Sequence, residues 1–114
     1  MLRSPRDFFQ PLAIGAPEPL REIPVTPGRM IHFLNAANQK MVDRVPEMLK
    51  QVDILLGNLE DAVPTDQKVD ARRGFIKVVK DNDFDSTGAW SRDNSLDSPW
   101  FLDDVMEYVA EIGD

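Results

Sequence analysis

The chain has 114 residues and is acidic, with 20 Asp and Glu against 13 Lys and Arg, a net charge of −7 and no cysteine. This length allows at most one ordinary domain, and the lack of cysteine excludes disulfides, thiolate metal sites and a cysteine nucleophile. The negative charge disfavours nucleic acid and anionic membranes as partners, and no stretch approaches the roughly 20 apolar residues of a membrane span. We therefore expect a cytoplasmic protein without nucleic-acid or membrane partners.

Residues 1–29 are predicted to form an extended arm. They contain six of the nine prolines of the chain. Proline fixes φ and lacks a backbone donor, so such a segment does not form a helix or a central strand. Apolar side chains between the prolines indicate that the arm lies against a surface. Residues 30–114 are predicted to form the folded domain.

The domain begins with an alternation of strand and helix patterns. Residues 30–34 form a short apolar run that is typical of a strand, and residues 38–51 have apolar side chains at helical spacing. Because proline lacks the N–H of a helical hydrogen bond, Pro46 predicts a break in this helix.

A second strand is predicted over residues 52–56, followed by a helix over residues 65–80 with Thr65 as its N-cap. The apolar residues expected to point inward from this helix are Val69, Phe75, Ile76 and Val79. This strand and helix form the second unit of the alternation.

The third unit comprises a strand over residues 89–94 and a helix that starts at Ser98 and Pro99 and ends at Gly113. One face of this helix is apolar and consists of Leu102, Val105, Met106, Val109 and Ile112. Three strand–helix units in series predict an α/β fold with a parallel sheet. Because three strands leave two open sheet edges, the pattern favours part of an eight-unit barrel or an oligomer.

Functional groups in such folds lie at the carboxyl ends of the strands. His32 and Phe33 are near the end of the first strand, where each is either a core residue or a ligand contact. Lys40 on the following helix is either a solvated charge or a partner for phosphate.

Two adjacent carboxylates, Glu60 and Asp61, follow the second strand. A strand interior excludes such charges, so they either hold a metal, a metal-bound water or a basic side chain, or they form structural ion pairs with Lys68 or Arg72. On the third strand, Arg92 and Asn94 are two residues apart and are expected to share a face of the sheet. If that face lines a barrel, a buried guanidinium there would bind an anion such as a substrate carboxylate.

Several longer runs resemble one known family. They are PLAIGAPEP (11–19), REIPV (21–25), PEMLKQVDILLGNLEDAVPTDQK (46–68), ARRGFIKVVK (71–80) and SPWFLDD (98–104). Together they resemble the start of the malyl-CoA / β-methylmalyl-CoA / citramalyl-CoA lyases, within the HpcH/HpaI aldolase and citrate lyase β-subunit superfamily. The resemblance covers nearly the whole chain.

The resemblance implies that residues 30–114 form the first three β/α units of a (β/α)₈ TIM barrel, preceded by the extended arm. It implies a Mg²⁺-dependent carbon–carbon lyase that splits malyl-CoA into acetyl-CoA and glyoxylate. Related substrates would give propionyl-CoA from β-methylmalyl-CoA and pyruvate from citramalyl-CoA. The Mg²⁺ ligands and the catalytic acid/base of the family are expected beyond residue 114, so none is expected in this segment. The full-length parent is expected to be a homo-oligomer.

The resemblance also implies roles for single residues. His32, Phe33 and Lys40 fall where the family contacts its CoA-thioester substrate, and Arg92 falls on the arginine that binds the α-hydroxy acid end. The third strand departs from the family pattern at Asp93, which would face the helix layer. There it is either an unpaired carboxylate, which is costly, or a partner that neutralises Arg92.

Glu60 and Asp61 match the carboxylate pair beneath the family's metal site. We expect them to support that site by holding water or basic groups and not to bind the metal directly. The isolated 114-residue chain is expected to be inactive. An alternative is a catalytically inactive truncated remnant that acts only as a binding or assembly module.

Overall fold

A computed structural model of the protein describes residues 27–113. Its centre is a three-stranded sheet in the order β1 (Ile31–Leu34), β2 (Ile54–Asn58) and β3 (Gly88–Arg92). Both strand pairs are parallel. The predicted α/β class with a parallel sheet is therefore confirmed, whereas residues 1–26 of the expected arm lie outside the described residues.

The helical segments alternate with the strands. The first connection holds two one-turn helices, α1 (Gln39–Val42) and α2 (Val45–Met48). The predicted break is confirmed, and Pro46 lies in the first turn of α2, where its missing N–H has no helical partner to lose. The other two connections contain α3 (Lys68–Asp81) and α4 (Phe101–Ile112).

Some predicted boundaries were wrong. Thr65 does not cap α3, because a 3₁₀ turn over Thr65–Gln67 precedes the α-helix. The second strand starts at Ile54, two residues later than expected, since Ile54 is the residue that pairs with both Ile31 and Gly88. Strand boundaries are thus set by register with the neighbouring strands as well as by local apolar composition.

One face of the sheet is covered by helices. Leu34, Leu55 and Phe75 belong to the same buried cluster, which joins β1, β2 and α3. Gly57 in β2 allows the close approach of α3, because a Cβ at this position would come within 2.5 Å of the Phe75 ring. Phe75 and Ile76 are buried as predicted, whereas Val69 is exposed, contrary to expectation.

The other face of the sheet is open within the part of the chain that the structure describes. The strand register places Phe33, Leu56 and Trp90 in one row across this face. Phe33 is 51% exposed and Trp90 is 53% exposed. Parallel sheets are ordinarily covered on both faces, so this face is a surface on which further structure can pack.

Helix α4 packs against α3 with a face that carries both a charged residue, Asp104, and an aromatic one, Tyr108. Asp104 is buried, and the ring of Tyr108 meets that of Phe75 edge to face with centroids 6.0 Å apart. The apolar face predicted from the sequence includes Leu102, which is 68% exposed, and Met106 and Val109 are exposed beside it. Among residues 27–113, no helix is both long and apolar enough to cross a membrane.

Candidate functional site

The three strands run in the same direction, so their carboxyl ends meet at one edge of the sheet. Arg92 is the last residue of β3 and pairs in register with Asn58, the last residue of β2. Because side chains alternate along a strand, Arg92 shares the open face with Phe33 and Trp90. The candidate site is the group of polar side chains at this edge.

Arg92 is bound there by two carboxylates. Its Nε lies 2.6 Å from Oε2 of Glu60, and its Nη2 lies 3.0 Å from Oδ2 of Asp61. The Arg92 side chain is still 44% exposed, and its Nη1 has no ion pair among the described residues. The guanidinium is therefore oriented by its neighbours while one end of it faces solvent.

The segment that carries the two carboxylates is fixed by its own hydrogen bonds. Asn58 is buried and its Oδ1 accepts from the backbone N–H of Glu60 at 3.0 Å. The buried ammonium of Lys68 donates to the carbonyl oxygens of Leu59 at 2.7 Å and of Glu60 at 2.5 Å. The N–H of Leu59 donates to the carbonyl of Arg92 at 2.9 Å. These bonds join the ends of β2 and β3 and hold Glu60 beside Arg92.

The ion pairs predicted from the sequence have different partners in the structure. Lys68 binds backbone carbonyls, and Arg72 pairs with Asp104 and Glu107. Within residues 27–113, neither cation forms an ion pair with the side-chain carboxylate of Glu60 or of Asp61. The basic side chain that these two carboxylates hold is Arg92.

Asp93 follows neither of the two expectations for it. Its Oδ1 accepts a hydrogen bond from Ser91 at 2.6 Å, so it is neither unpaired nor bound to Arg92. The expectation that Arg92 and Asn94 share a strand face was wrong, because β3 ends at Arg92. Asn94 is buried beyond the strand end, where it donates to Asp104.

The remaining sequence-predicted residues lie apart from this cluster. Phe33 is on the open face. Because successive side chains of a strand point to opposite faces, the neighbouring His32 is on the helix-covered face. The Nδ1 atom of His32 lies 2.8 Å from the carbonyl oxygen of Phe33. Lys40 is exposed on α1, with no side-chain hydrogen bond or ion pair to residues 27–113. Their predicted contacts with substrate stay predictions.

Comparisons with known proteins agree with the resemblance seen in the sequence. Residues 29–113 match the family described as HpcH/HpaI aldolase/citrate lyase. The chain belongs to this family. It is also 55% identical over 113 residues to a malyl-CoA/beta-methylmalyl-CoA/citramalyl-CoA lyase of Chloroflexus aurantiacus, a match that covers 99% of this chain and 32% of that relative. The chain thus spans about a third of the length of the curated relative it matches.

The described part of this HpcH/HpaI family chain does not form a metal centre by itself. Residues 27–113 contain no group of three or more His, Asp or Glu side chains placed to hold an ion. Glu60 and Asp61 are the carboxylates at the strand ends, and both are bound to Arg92. These residues do not fit Mg²⁺ on their own, and the expectation that its ligands lie beyond residue 114 stays a prediction.

Sequence reasoning missed the buried ion-pair network behind the site. Burial acts to lower the pKa of Arg72, but its hydrogen bonds to Asp104 and Glu107 outweigh this and raise it. Burial also raises the pKa of Tyr108, and the Ser91 hydroxyl beside it acts in the opposite direction. The available signal was the pair Asp104 and Glu107, which are three residues apart and therefore on one side of α4, but their partner Arg72 is distant in sequence.

Proposed function

We propose that the chain forms the first three β/α units of a (β/α)₈ barrel in a lyase that cleaves a carbon–carbon bond of a CoA thioester. In this proposal Arg92 binds the carboxylate at the hydroxy-acid end of malyl-CoA, β-methylmalyl-CoA or citramalyl-CoA. The products would be acetyl-CoA or propionyl-CoA together with glyoxylate or pyruvate. The main support is the 55% identity to a lyase with these three substrates in its name.

The geometry of Arg92 supports this role. It lies at the carboxyl ends of parallel strands, where ligands bind in α/β folds. Its planar fork suits a carboxylate, and its Nη1 is not used by Glu60 or Asp61. The two carboxylates would keep the guanidinium in one orientation before substrate arrives, which reduces the ordering cost of binding.

The open face supplies the rest of the proposed pocket. Phe33 and Trp90 lie on the same face as Arg92 and are half-exposed. Apolar side chains around an ion pair exclude water, which strengthens the pair and protects a developing thioester enolate. The proposal includes Mg²⁺, with its ligands supplied from outside residues 27–113.

A chimera tests this proposal. The present chain would replace the matching third of the Chloroflexus aurantiacus relative, and glyoxylate release from malyl-CoA would be measured with Mg²⁺. We expect the chimera to be active and the 114-residue chain alone to release no glyoxylate. A folded chimera that cleaves none of the three thioesters would contradict the proposal, as would glyoxylate release by the chain alone.

Substitution of Arg92 in the chimera tests directly whether this residue binds substrate. Hydrogen bonds to charged groups are worth about 1.5–3 kcal/mol, so Arg92→Met should lower kcat/KM by about tenfold to more than a hundredfold. Arg73→Met is the matched control, since it removes the same charge from an exposed position on α3. Equal activities of the two variants would exclude Arg92 as a substrate ligand.

The exposed apolar surfaces favour a second candidate function. The open sheet face and the exposed side of α4 suit a non-catalytic module that binds or assembles with another polypeptide. In that case the folded chimera would be inactive, while the chain alone would form a stable assembly in sedimentation experiments. The same chimera assay therefore separates the two candidates.

A further inference from the structure

We propose that Asp104 is a positioning residue that fixes the chain after Arg92 and thereby directs the guanidinium toward Glu60 and Asp61. Asp104 lies on α4 and does not contact Arg92. Its significance for catalysis rests on the proposed function, whereas its effect on Arg92 is a property of this chain alone. Three sets of contacts support this role.

The first set is made by the Asp104 carboxylate, which is 0% exposed. Its Oδ1 accepts from Nη1 of Arg72 at 2.8 Å. Its Oδ2 accepts from the side-chain Nδ2 of Asn94 at 2.7 Å and lies 3.4 Å from the backbone N of the same residue. A single carboxylate therefore connects α3, α4 and the loop that follows β3.

In the second set of contacts, the charge of Arg72 is paired by Glu107 as well as by Asp104. Glu107 binds the same guanidinium through two hydrogen bonds, from Nε at 2.9 Å and from Nη2 at 3.1 Å. Burying a second carboxylate costs free energy that the ion pair repays only when further hydrogen bonds satisfy the carboxylate oxygens. The feature that distinguishes Asp104 from Glu107 is its second oxygen, which binds Asn94.

The third set connects Asn94 to the candidate site. Asn94 is two residues after Arg92, and the carbonyl of Arg92 accepts from the N–H of Leu59. Leu59 directly precedes Glu60, which binds the Arg92 side chain. The backbone at Arg92 is thus fixed by β2 on one side and by Asp104, through Asn94, on the other. Loss of the second attachment would let the end of β3 move relative to the two carboxylates.

The test compares Asp104→Asn with Glu107→Gln in the full 114-residue chain. Each variant removes one carboxylate charge that pairs with Arg72, and each preserves the shape of the side chain. Arg72 and Asn94 donate to different oxygens of Asp104, and Asp104→Asn replaces one of these acceptors by an NH₂ donor. Glu107→Gln leaves the contact between Asp104 and Asn94 intact. The free energy of unfolding of each variant, from urea titration, shows how much each contributes to stability.

The decisive measurement is the Arg92 Nε–H signal in ¹H–¹⁵N NMR spectra, assigned with Arg92→Lys, together with hydrogen exchange of the Leu59 amide. We expect Asp104→Asn to shift or broaden the Arg92 signal and to speed exchange at Leu59 by about tenfold, the loss of roughly one hydrogen bond. Glu107→Gln should leave the Arg92 signal unchanged. It should speed exchange at Leu59 by no more than its own loss of free energy of unfolding accounts for. Equal effects of the two variants, or no effect of Asp104→Asn, would overturn the inference.

If Asp104→Asn abolishes folding, Asn94→Ala tests the same connection. It removes the side-chain donor but keeps the pair between Arg72 and Asp104. The inference requires the same change in the Arg92 signal, and an unchanged signal in folded Asn94→Ala would overturn it.

Activity in the chimera separates this inference from the proposed function. We expect Asp104→Asn to lower kcat/KM for malyl-CoA by about tenfold and Glu107→Gln to have little effect. An inactive chimera together with a shifted Arg92 signal would reject the proposed function and keep the positioning role. An active chimera in which Asp104→Asn changes neither activity nor the Arg92 signal would reject the positioning role only.

Discussion

His32 and Phe33 are neighbours in β1, yet they belong to different environments. The face that carries His32 also carries Leu34 and Leu55 and lies under the helices, and the face that carries Phe33 is open. Because strand side chains alternate, the two faces consist of interleaved residues of the same three strands. The covered face holds most of the buried apolar contacts, and the open face holds the only described guanidinium at a strand end.

This difference predicts that stability and activity can be changed separately. Substitutions on the covered face should reduce the free energy of unfolding, because they remove buried apolar contacts. Substitutions on the open face should leave it nearly unchanged and act on binding instead. The following predictions test this separation, from the largest expected effect to the smallest.

The largest effect is expected for Phe75→Ala. Phe75 fills the space between Gly57 and the core cluster under the sheet, and such a truncation costs about 3–5 kcal/mol. Phe33→Ala on the open face is the control and should change the free energy of unfolding by at most about 0.5 kcal/mol. Urea denaturation followed by circular dichroism measures both. Similar losses for the two variants would show that the faces do not differ in this way.

The two arginines give a second comparison. Arg72 is buried with Asp104, and Arg92 is half-exposed with Glu60. Removing one partner of a buried pair leaves an uncompensated charge and costs about 3–5 kcal/mol, so Arg72→Met should destabilise strongly.

Arg92→Met should change stability by only about 0–1 kcal/mol, because exposed ion pairs contribute little. Chemical denaturation of the two variants in the same buffer measures the difference. A loss for Arg92→Met that equals the loss for Arg72→Met would mean that the Arg92 cluster contributes to folding and is not confined to function.

The smallest effect concerns pH and the segment before β1. Oδ2 of Asp53 accepts from the backbone N–H of Arg29 at 2.7 Å and of Met30 at 2.8 Å. The hydrogen bond from Arg29 has the larger effect and that from Met30 the next, and together they hold the pKa of Asp53 below its ordinary value. A lowered folded-state pKa stabilises the protein above the unfolded value of about 3.9, and this contribution is lost as pH falls through the folded pKa.

Asp53→Asn should therefore flatten the acid side of the stability curve. The difference in urea midpoint between wild type and variant should be present near neutral pH and should shrink as pH falls below about 4. Midpoints measured across this range test the prediction. A constant difference at every pH would mean that Asp53 acts through contacts that do not depend on its charge.

Much of the fold followed from local patterns. The alternation of three strand patterns with helix patterns predicted three strands, and Pro46 predicted the break between α1 and α2. Gly113 was correctly expected at the end of α4. These features depend on short-range chemistry, such as the missing N–H of proline and the missing Cβ of Gly113, where a Cβ would clash with the backbone of Val109.

The apolar face of α4 shows where periodicity alone is insufficient. Its regular spacing identifies a face but not the structure that covers it. Leu102 and Met106 are exposed because α4 packs on α3 through Asp104 and Tyr108. A buried ion pair with a residue 32 positions earlier cannot be read from helical spacing.

The sequence by itself determined the parallel α/β class, the family and the residue types at the strand ends, because these depend on apolar periodicity, turn chemistry and motif spacing. The tertiary structure alone decided which charges meet. It paired Arg92 with Glu60 and Asp61, assigned Lys68 to backbone carbonyls and joined Arg72 to Asp104. Ion pairing depends on distance and burial across the sheet, and these are fixed only when the strands adopt their register.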